Sequence, residues 1–489
     1  MVELTLNTFS LYDFPEQTRQ DLPDTLLTGR ENKRKTEAET LSRWYETSIF
    51  YHIYPLGLCG APRNNEHTET VHRLPKLLEW LEHLKELHVG GIYIGPLFES
   101  SSHGYDTIDY RRVDSRLGDN DDFRDFVNRA HELGMRVVVD GVFNHTGREF
   151  FAFEDIRRNR ENSPYRWWYK GINFDWNSAY NDGFSYESWR NCGNLINLNL
   201  QNREVKDYLF DVIRFWVSEF DIDGIRLDCA DVLDFDFMKE MRWMSGSLKE
   251  DFWLLGEVIH GDYARWANDS MLHSVTNYEL HKGLYSGHND HNYFEIAHTI
   301  RRQFDANGGI YRGRTLYTFA DNHDVARLPD KLRDQNHLRP VYTLVYTLPG
   351  LPSVYYGSEW GIRGRKEDGD EALRPCIDLR QISQEPPVPG LNEYLCLLGK
   401  IREENAALRE GQYRELLLTN RQYAFARILG DRAVITAVNN DPAAASVRIR
   451  LPFACAKITD LLTGEKVKQE NGQLEVTLEA DGSGIYLVE

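Results

Sequence analysis

Residues 202–228 read NREVKDYLFDVIRFWVSEFDIDGIRLD, a helix that runs into a strand. After Asn202, the apolar residues Val205, Leu209, Val212, Trp216 and Phe220 return at intervals of three and four and form one helical stripe. Asp223 to Leu227 then reads as a short buried strand, and a carboxylate, Asp228, stands where it ends. Arg226 lies two residues before Asp228, so both side chains point to the same face of that strand.

The same unit recurs on either side. Ile49 to Tyr54, Gly91 to Ile94, Met135 to Asp140, Phe252 to Leu255, Val275 to Tyr278, Thr315 to Ala320 and Ser353 to Tyr356 read as further strands. Amphipathic stretches separate them. One carries Phe123, Phe126, Val127, Ala130 and Leu133 on one face, with Asp121 and Asp122 able to cap it and Gly134 closing it. Pro75 to Leu87 and His291 to Phe304 read similarly. Eight strands alternating with helices predict an α/β fold, a closed (β/α)8 TIM barrel. An open doubly wound sheet usually carries a Gly-rich phosphate loop, and neither GxGxxG nor GxxxxGK[ST] follows any strand here.

Three further parts flank or interrupt this pattern. Residues 1–47 are polar and read as an N-terminal extension, ahead of a barrel over 48–410. The stretch after the third strand, about 146–200, is too long for a helix crossover and is crowded with aromatics, among them Phe150, Trp168, Tyr169, Phe184 and Trp189. It reads equally as a small inserted core and as a wall of stacking surfaces beside a cleft. Residues 411–489 carry short runs, Tyr423 to Ile428, Ala433 to Val438, Ser446 to Leu451 and Leu474 to Leu478, with turn signals between them, and predict a C-terminal antiparallel β-sandwich.

The 489 residues suit one large domain and a smaller one, and 41% hydrophobic content allows a large core. A formal net charge of -19 repels phosphate backbones and anionic lipid, which argues against nucleic acid and membranes as partners. The N-terminal MVELTLNTFSLYDF has no basic segment leading into an apolar one, so no secretory signal is read. The six cysteines show no metal-type spacing, and reduced thiols in a cytoplasmic protein are the expectation.

A barrel gathers reactive residues just past its strand ends, and carboxylates stand there. The third strand leads into Asp140-Gly-Val-Phe-Asn-His145, the fourth ends Gly224-Ile-Arg-Leu-Asp228, the fifth Gly256-Glu257, and the seventh Asp321-Asn-His-Asp324. Two carboxyl groups about 5–5.5 Å apart suit a retaining double displacement, one ionised to attack and the other protonated to release the leaving oxygen. The fixed charge of Arg226 is expected to depress the pKa of Asp228, and neighbouring carboxylates to raise that of Glu257.

These four segments resemble, in chain order, the four motif regions of the alpha-amylase family (glycoside hydrolase family 13). Gly104-Tyr-Asp-Thr-Ile-Asp-Tyr110 and Gly350-Leu-Pro-Ser-Val-Tyr-Tyr-Gly-Ser-Glu359 resemble further family segments, and the likeness spans roughly residues 48 to 410. Asn197-Leu-Asn199, His103 and Arg374-Pro375 are similar to the cyclomaltodextrinase and neopullulanase group, whereas Glu257-Val-Ile-His260 looks more like a general or intracellular alpha-amylase. That group usually carries a large N-terminal β domain that builds its dimer, and only a short arm precedes the barrel here, so monomer and homo-oligomer both stay open.

The resemblance implies a glycosidase that degrades starch and maltodextrin, cleaving alpha-1,4 bonds of maltooligosaccharides, cyclodextrins or starch-type glucans. By it Asp228 is the nucleophile, Glu257 the acid/base and Asp324 a ligand of the sugar hydroxyls. His145 and His323 bind the same sugar, Tyr105 stacks beneath it, and Asp140 is structural. No cofactor is required; calcium stays open, with Asn144 a candidate ligand and Asp175 and Asp182 further donors. The alternatives are a transglycosylase or sucrose-type glucosyl transferase on the same scaffold, and an inactive carbohydrate-binding relative, which would be expected to have lost a carboxylate.

Overall fold

Ile49–Ile53 (β1) is buried at every position, as a strand covered on both faces must be. It is the first of eight parallel strands in the computed structural model, which describes residues 43–67 and 69–489. The others are Val89–Ile94 (β2), Arg136–Gly141 (β3), Gly224–Leu227 (β4), Trp253–Gly256 (β5), Ser274–Val275 (β6), Tyr317–Phe319 (β7) and Leu351–Tyr355 (β8). They pair in parallel in the order β6-β5-β4-β3-β2-β1-β8-β7, and a parallel bridge from Thr276 to Tyr317 joins the two edges. The ring is the (β/α)8 barrel that the sequence predicts. Of the N-terminal extension read over 1–47, residues 1–42 lie outside the described residues.

Alternation along each strand sorts the side chains into two cores. Inward-facing Phe50, Tyr93, Val138, Trp253, Leu255, Tyr317, Phe319 and Leu351 fill the barrel, with the Phe50 and Trp253 rings stacked at 4.5 Å. Tyr45, from the short helix Trp44–Thr47, packs on Trp253 and belongs to the same cluster. Outward-facing Tyr51, Ile92, Val137, Val139, Ile225 and Leu254 meet the surrounding helices in the larger core. The helix Arg203–Phe220 presents Val205, Leu209, Val212, Trp216 and Phe220 to it, capped by Asn202, whose side chain accepts from the Glu204 N–H.

Most element ends differ by a few residues from the sequence reading, and two of the shifts have a clear cause. Tyr278 is not in the sixth strand: Asn277 leaves the sheet and caps the helix Tyr278–Asn289, accepting from Leu280 N–H at 3.1 Å. The cap of Asn120–Glu132 is Asp119, not Asp121 or Asp122; Asp122 instead returns a bond to the Asp119 N–H. In both cases a side chain that satisfies the orphan amides of the first turn decides where the helix starts.

Beyond the barrel, one antiparallel sheet combines Gln412–Leu418, Gln422–Leu429, Arg432–Asn439, Ser483–Val488 and Ile458–Asp460, and a second combines Ala445–Arg450, Gln473–Leu478 and Gln469–Glu470. Ile435, Val447, Ile449, Leu474 and Tyr486 form the core between them. Among the described residues no helix is long and apolar enough to cross a membrane.

Candidate active site

The inner face of the barrel changes character one step above its apolar floor. On β3, Val138 is followed by Asp140; on β5, Leu255 by Glu257; on β4, Gly224 by Arg226 and then Asp228. The β3–β4 register sets Asp140 directly opposite Arg226, and the β4–β5 register sets Leu227 opposite Gly256. These pairings set Asp140 beside Arg226 at the strand C-termini and bring Asp228 and Glu257 together one step above them. A Cβ on Gly95 would fall 2.4 Å from the Asp140 Cβ, so glycine at the end of β2 leaves room for this carboxylate.

Arg226, 3% exposed, organises this group. Its Nη1 lies 2.8 Å from Asp140 Oδ1 and 3.0 Å from Asp228 Oδ1, and its Nη2 lies 2.9 Å from Glu257 Oε2. Asp140 Oδ2 also accepts from the Tyr93 hydroxyl at 2.8 Å and from Tyr105 at 3.2 Å. After Asp228 the chain turns sharply, with Cys229 left-handed at φ 38°, and this turn directs the Cys229 N–H onto Glu257 Oε2 at 3.0 Å.

One buried cation serving three buried carboxylates alters their protonation. Burial pushes Asp228 up to about 8; Arg226 opposes the rise, and the charges of Glu257 and Asp140 add to it. This corrects the expectation that Arg226 depresses Asp228: desolvation outweighs the arginine once that cation is shared. Burial also raises Glu257, against Arg226 and with help from Asp324, so the expected direction holds with a different leading cause. Asp140 is raised in the same way. The Asp228–Glu257 pair therefore holds a proton at neutral pH and titrates as a unit.

Asp324 reaches the cleft from the loop after β7 and is the most open of the acidic groups, its side chain 37% exposed. Arg374 Nη2 meets its Oδ1 at 3.0 Å, and His323 Nε2 lies 3.1 Å from its Oδ2. Arg374 also donates to the His323 carbonyl at 3.1 Å and stacks its guanidinium 4.6 Å from the Tyr54 ring. A Cβ on Gly57 would stand 2.2 Å from the Arg374 carbonyl oxygen, so glycine there lets this segment pack down. The Tyr105 hydroxyl contacts His323 Nε2, and the two rings are nearly parallel. Burial holds His145 down to about 4 and His323 well below its ordinary value, so both imidazoles are neutral.

Asp228, Glu257, Asp324, Tyr105 and His145 all line one cavity of about 800 Å³, with Tyr278, Arg374 and Trp189. Arg226 and His323 stand behind that lining. The sequence alone assigns no role to Arg374 or Cys229, with Arg374-Pro375 only a mark of subgroup, whereas Trp189 is among the aromatics read as stacking surfaces beside a cleft. In the inserted segment, Phe150, Trp168, Tyr169 and Phe184 are buried and continuous with the large core around the barrel, whereas Trp189 faces the cleft.

Two of the donors considered for calcium have protein partners of their own. Asn144 Nδ2 is directed to His145 Nδ1 at 3.2 Å and Asn197 Oδ1 at 3.4 Å. Asp182 receives Arg148 through two bonds, at 3.0 and 2.6 Å, with Arg157 3.4 Å away. Burial alone would raise the Asp182 carboxyl, but bonds from Arg148 and Ser178 carry it below its ordinary value. A carboxylate already neutralised by arginines is a poor ligand for a hard cation, and Asp175 is exposed.

Acidic side chains from separate strands, gathered on one buried arginine at the mouth of a parallel barrel, are the equipment of a glycoside hydrolase. The chain belongs to the alpha-amylase family: residues 69–386 match the alpha amylase catalytic domain, and residues 413–485 match the maltogenic amylase C-terminal domain. It is 31% identical to neopullulanase 2 of Thermoactinomyces vulgaris over 474 residues, which is 91% of this chain and 78% of that protein. It is 29% identical to the intracellular maltogenic amylase of Bacillus subtilis (strain 168), over 85% of this chain and 72% of that one. A solved cyclomaltodextrinase structure superposes with a TM-score of 0.82 at 25% identity, covering 91% of this chain and 78% of that chain.

Proposed function

We propose that the protein is a retaining hydrolase of alpha-1,4-glucosidic bonds in maltooligosaccharides, cyclodextrins or starch-type glucans. The observation that carries this reading is the Arg226 guanidinium, which holds Asp228 and Glu257 on its two terminal nitrogens at 3.0 and 2.9 Å. Glu257 gives its proton to the glycosidic oxygen while Asp228 attacks the anomeric carbon; the bond to the leaving sugar breaks as the bond to Asp228 forms. Water then attacks the same carbon, its proton passes to Glu257, and the bond to Asp228 breaks with retention overall. The productive form of the pair has its proton on Glu257, and positive charge developing on the sugar stabilises the Asp228 anion.

Asp324 holds sugar hydroxyls in this scheme, aimed by Arg374. His145 binds the same sugar, and Tyr105 lies beneath its ring; His323, expected to bind that sugar too, stands behind the lining and instead holds Tyr105 and Asp324 through its Nε2. A neutral His145 suits its place, because it bonds hydroxyls without adding a cation beside an oxocarbenium-like centre. No step uses a metal. A cytoplasmic place of action fits the six free thiols and the relative named as intracellular.

A time course of products from maltoheptaose, beta-cyclodextrin, pullulan and starch tests the reading, with the anomeric form of the first product followed by NMR. Shorter products that appear first as the alpha anomer are expected, and Glu257→Gln slows the wild-type rate by about 10²–10⁴-fold. Products longer than the substrate would make it a transferase. Equal slow release of reducing sugar by wild type and Glu257→Gln would end the enzymatic reading.

A further inference from the structure

Beside Asp228 stands a thiol for which the proposed chemistry has no use. Cys229 is 6% exposed, lines the same cavity, and holds its Sγ 3.2 Å from Asp228 Oδ2. His145, 1% exposed, is engaged at Nδ1 by Asn144, while its buried Nε2 has no hydrogen-bond partner among the described residues. A ring nitrogen of His145, the Cys229 sulfur and an Asp228 carboxylate oxygen lie within 4.8 Å of one another.

Imidazole, thiolate and carboxylate are together the ligand types of zinc-like cations, not of calcium or magnesium. With bonds of about 2.3 Å to sulfur and about 2.1 Å to oxygen, a tetrahedral site has an S–O edge of about 3.6 Å, close to the separation already present. The surroundings favour a dication, because Asp140, Asp228 and Glu257 outnumber the charge of Arg226.

We propose that the cleft is an inhibitory site for a soft or borderline divalent cation such as Zn²⁺ or Cd²⁺, held by His145, Cys229 and Asp228 with a fourth position open to water. On binding, the metal–sulfur bond replaces the Cys229 S–H bond and that proton leaves to solvent, while the proton of the Asp228–Glu257 pair stays on Glu257 and leaves Asp228 anionic for the cation. The metal bonds the His145 Nε2 lone pair once the ring proton moves to Nδ1, where the Asn144 amide turns its oxygen to receive it. No electron changes hands. Because the cation takes the oxygen that Asp228 would use on the sugar, it competes with substrate. That consequence rests on the role proposed for Asp228; binding itself does not.

The test titrates the purified full chain with Cd²⁺ alone and follows the ultraviolet thiolate-to-metal charge-transfer band. The first equivalent should give a band that is lost in Cys229→Ala and in the near-isosteric Cys229→Ser, with unchanged circular dichroism. It should survive in Cys192→Ser, which removes the exposed thiol at the cleft rim. In parallel, Zn²⁺ should inhibit the wild type competitively and reversibly with EDTA. The half-inhibiting concentration should rise at least about 10-fold in Cys229→Ala, normalised to that variant's own activity. A band or an inhibition that is indifferent to Cys229, or no band in the wild type, overturns the proposal. A Cys229-dependent band in a protein inactive on every glucan would leave the metal site standing and remove only the hydrolase reading.

Discussion

Asp228→Asn should make the protein more stable while removing its activity. The free carboxyl value is 3.8, and burial with neighbouring carboxylates brings Asp228 to about 8 in the folded protein. The folded state therefore binds this proton more tightly than the unfolded chain. The stability it confers is complete below about pH 4 and is lost progressively as the pH rises toward about 8. At pH 7 the loss from this group alone is about 4 kcal/mol. Asparagine keeps the shape and never ionises, so it escapes that loss. It forfeits the charge-assisted bond from Arg226, worth about 1.5–3 kcal/mol, although Arg226 keeps Asp140 and Glu257. The net expectation is a gain of about 1–3 kcal/mol at pH 7 that shrinks by about 1 kcal/mol for each pH unit down to about 5. Scanning calorimetry of both proteins across that range measures it. A variant that melts at or below the wild type at neutral pH, or a difference that stays constant with pH, refutes the claim that the carboxylates crowd one shared cation.

Three further outcomes follow from the same geometry. The pH profile of kcat/KM on maltoheptaose should fall on the alkaline side near pH 8, as the raised Asp228–Glu257 pair gives up the proton that the acid step needs; a fall centred at about 6 would contradict it. Arg374→Met removes the contacts to Asp324 and the His323 carbonyl, and should lower kcat/KM about 10–100-fold, with Arg374→Lys recovering part of it; steady-state kinetics decide, and an unchanged value would free Asp324 from dependence on this arginine. Arg148→Met leaves Asp182 with Arg157 and the Ser178 hydroxyl as partners and should cost about 1–3 kcal/mol in a denaturant melt, whereas EDTA should not move the wild-type melt; a melt that EDTA lowers in the wild type but not in Asp182→Asn would show that a cation does bind there.

Residues 202–228 show what could be read without coordinates. Their helical stripe, the apolar strand after it and the position of Asp228 at its end are set within a few residues of chain, because side-chain periodicity is a local property of helix and strand. Repeated eight times, that local pattern was sufficient for the barrel and for the list of carboxylates at its strand ends. Several element ends shift by a few residues from the apolar pattern, and at Asn277 and Asp119 the shift has a capping side chain as its cause.

Protonation at the site needed tertiary structure. Arg226 two residues before Asp228 promised a depressed carboxyl. Only ring closure shows that Asp140 and Glu257 claim the same guanidinium and that all four groups are buried, and desolvation is a property of what surrounds a group in space. The same holds for Arg374, fifty positions after Asp324 in the chain yet its partner at 3.0 Å, and for Asp182, a plausible metal ligand in the sequence but committed to Arg148 in the fold. The chain's own pattern determined which chemical groups are present and at which end of the barrel; three-dimensional closure decided which of them share a charge, because Coulomb and solvation energies depend on distance and burial rather than on separation along the chain.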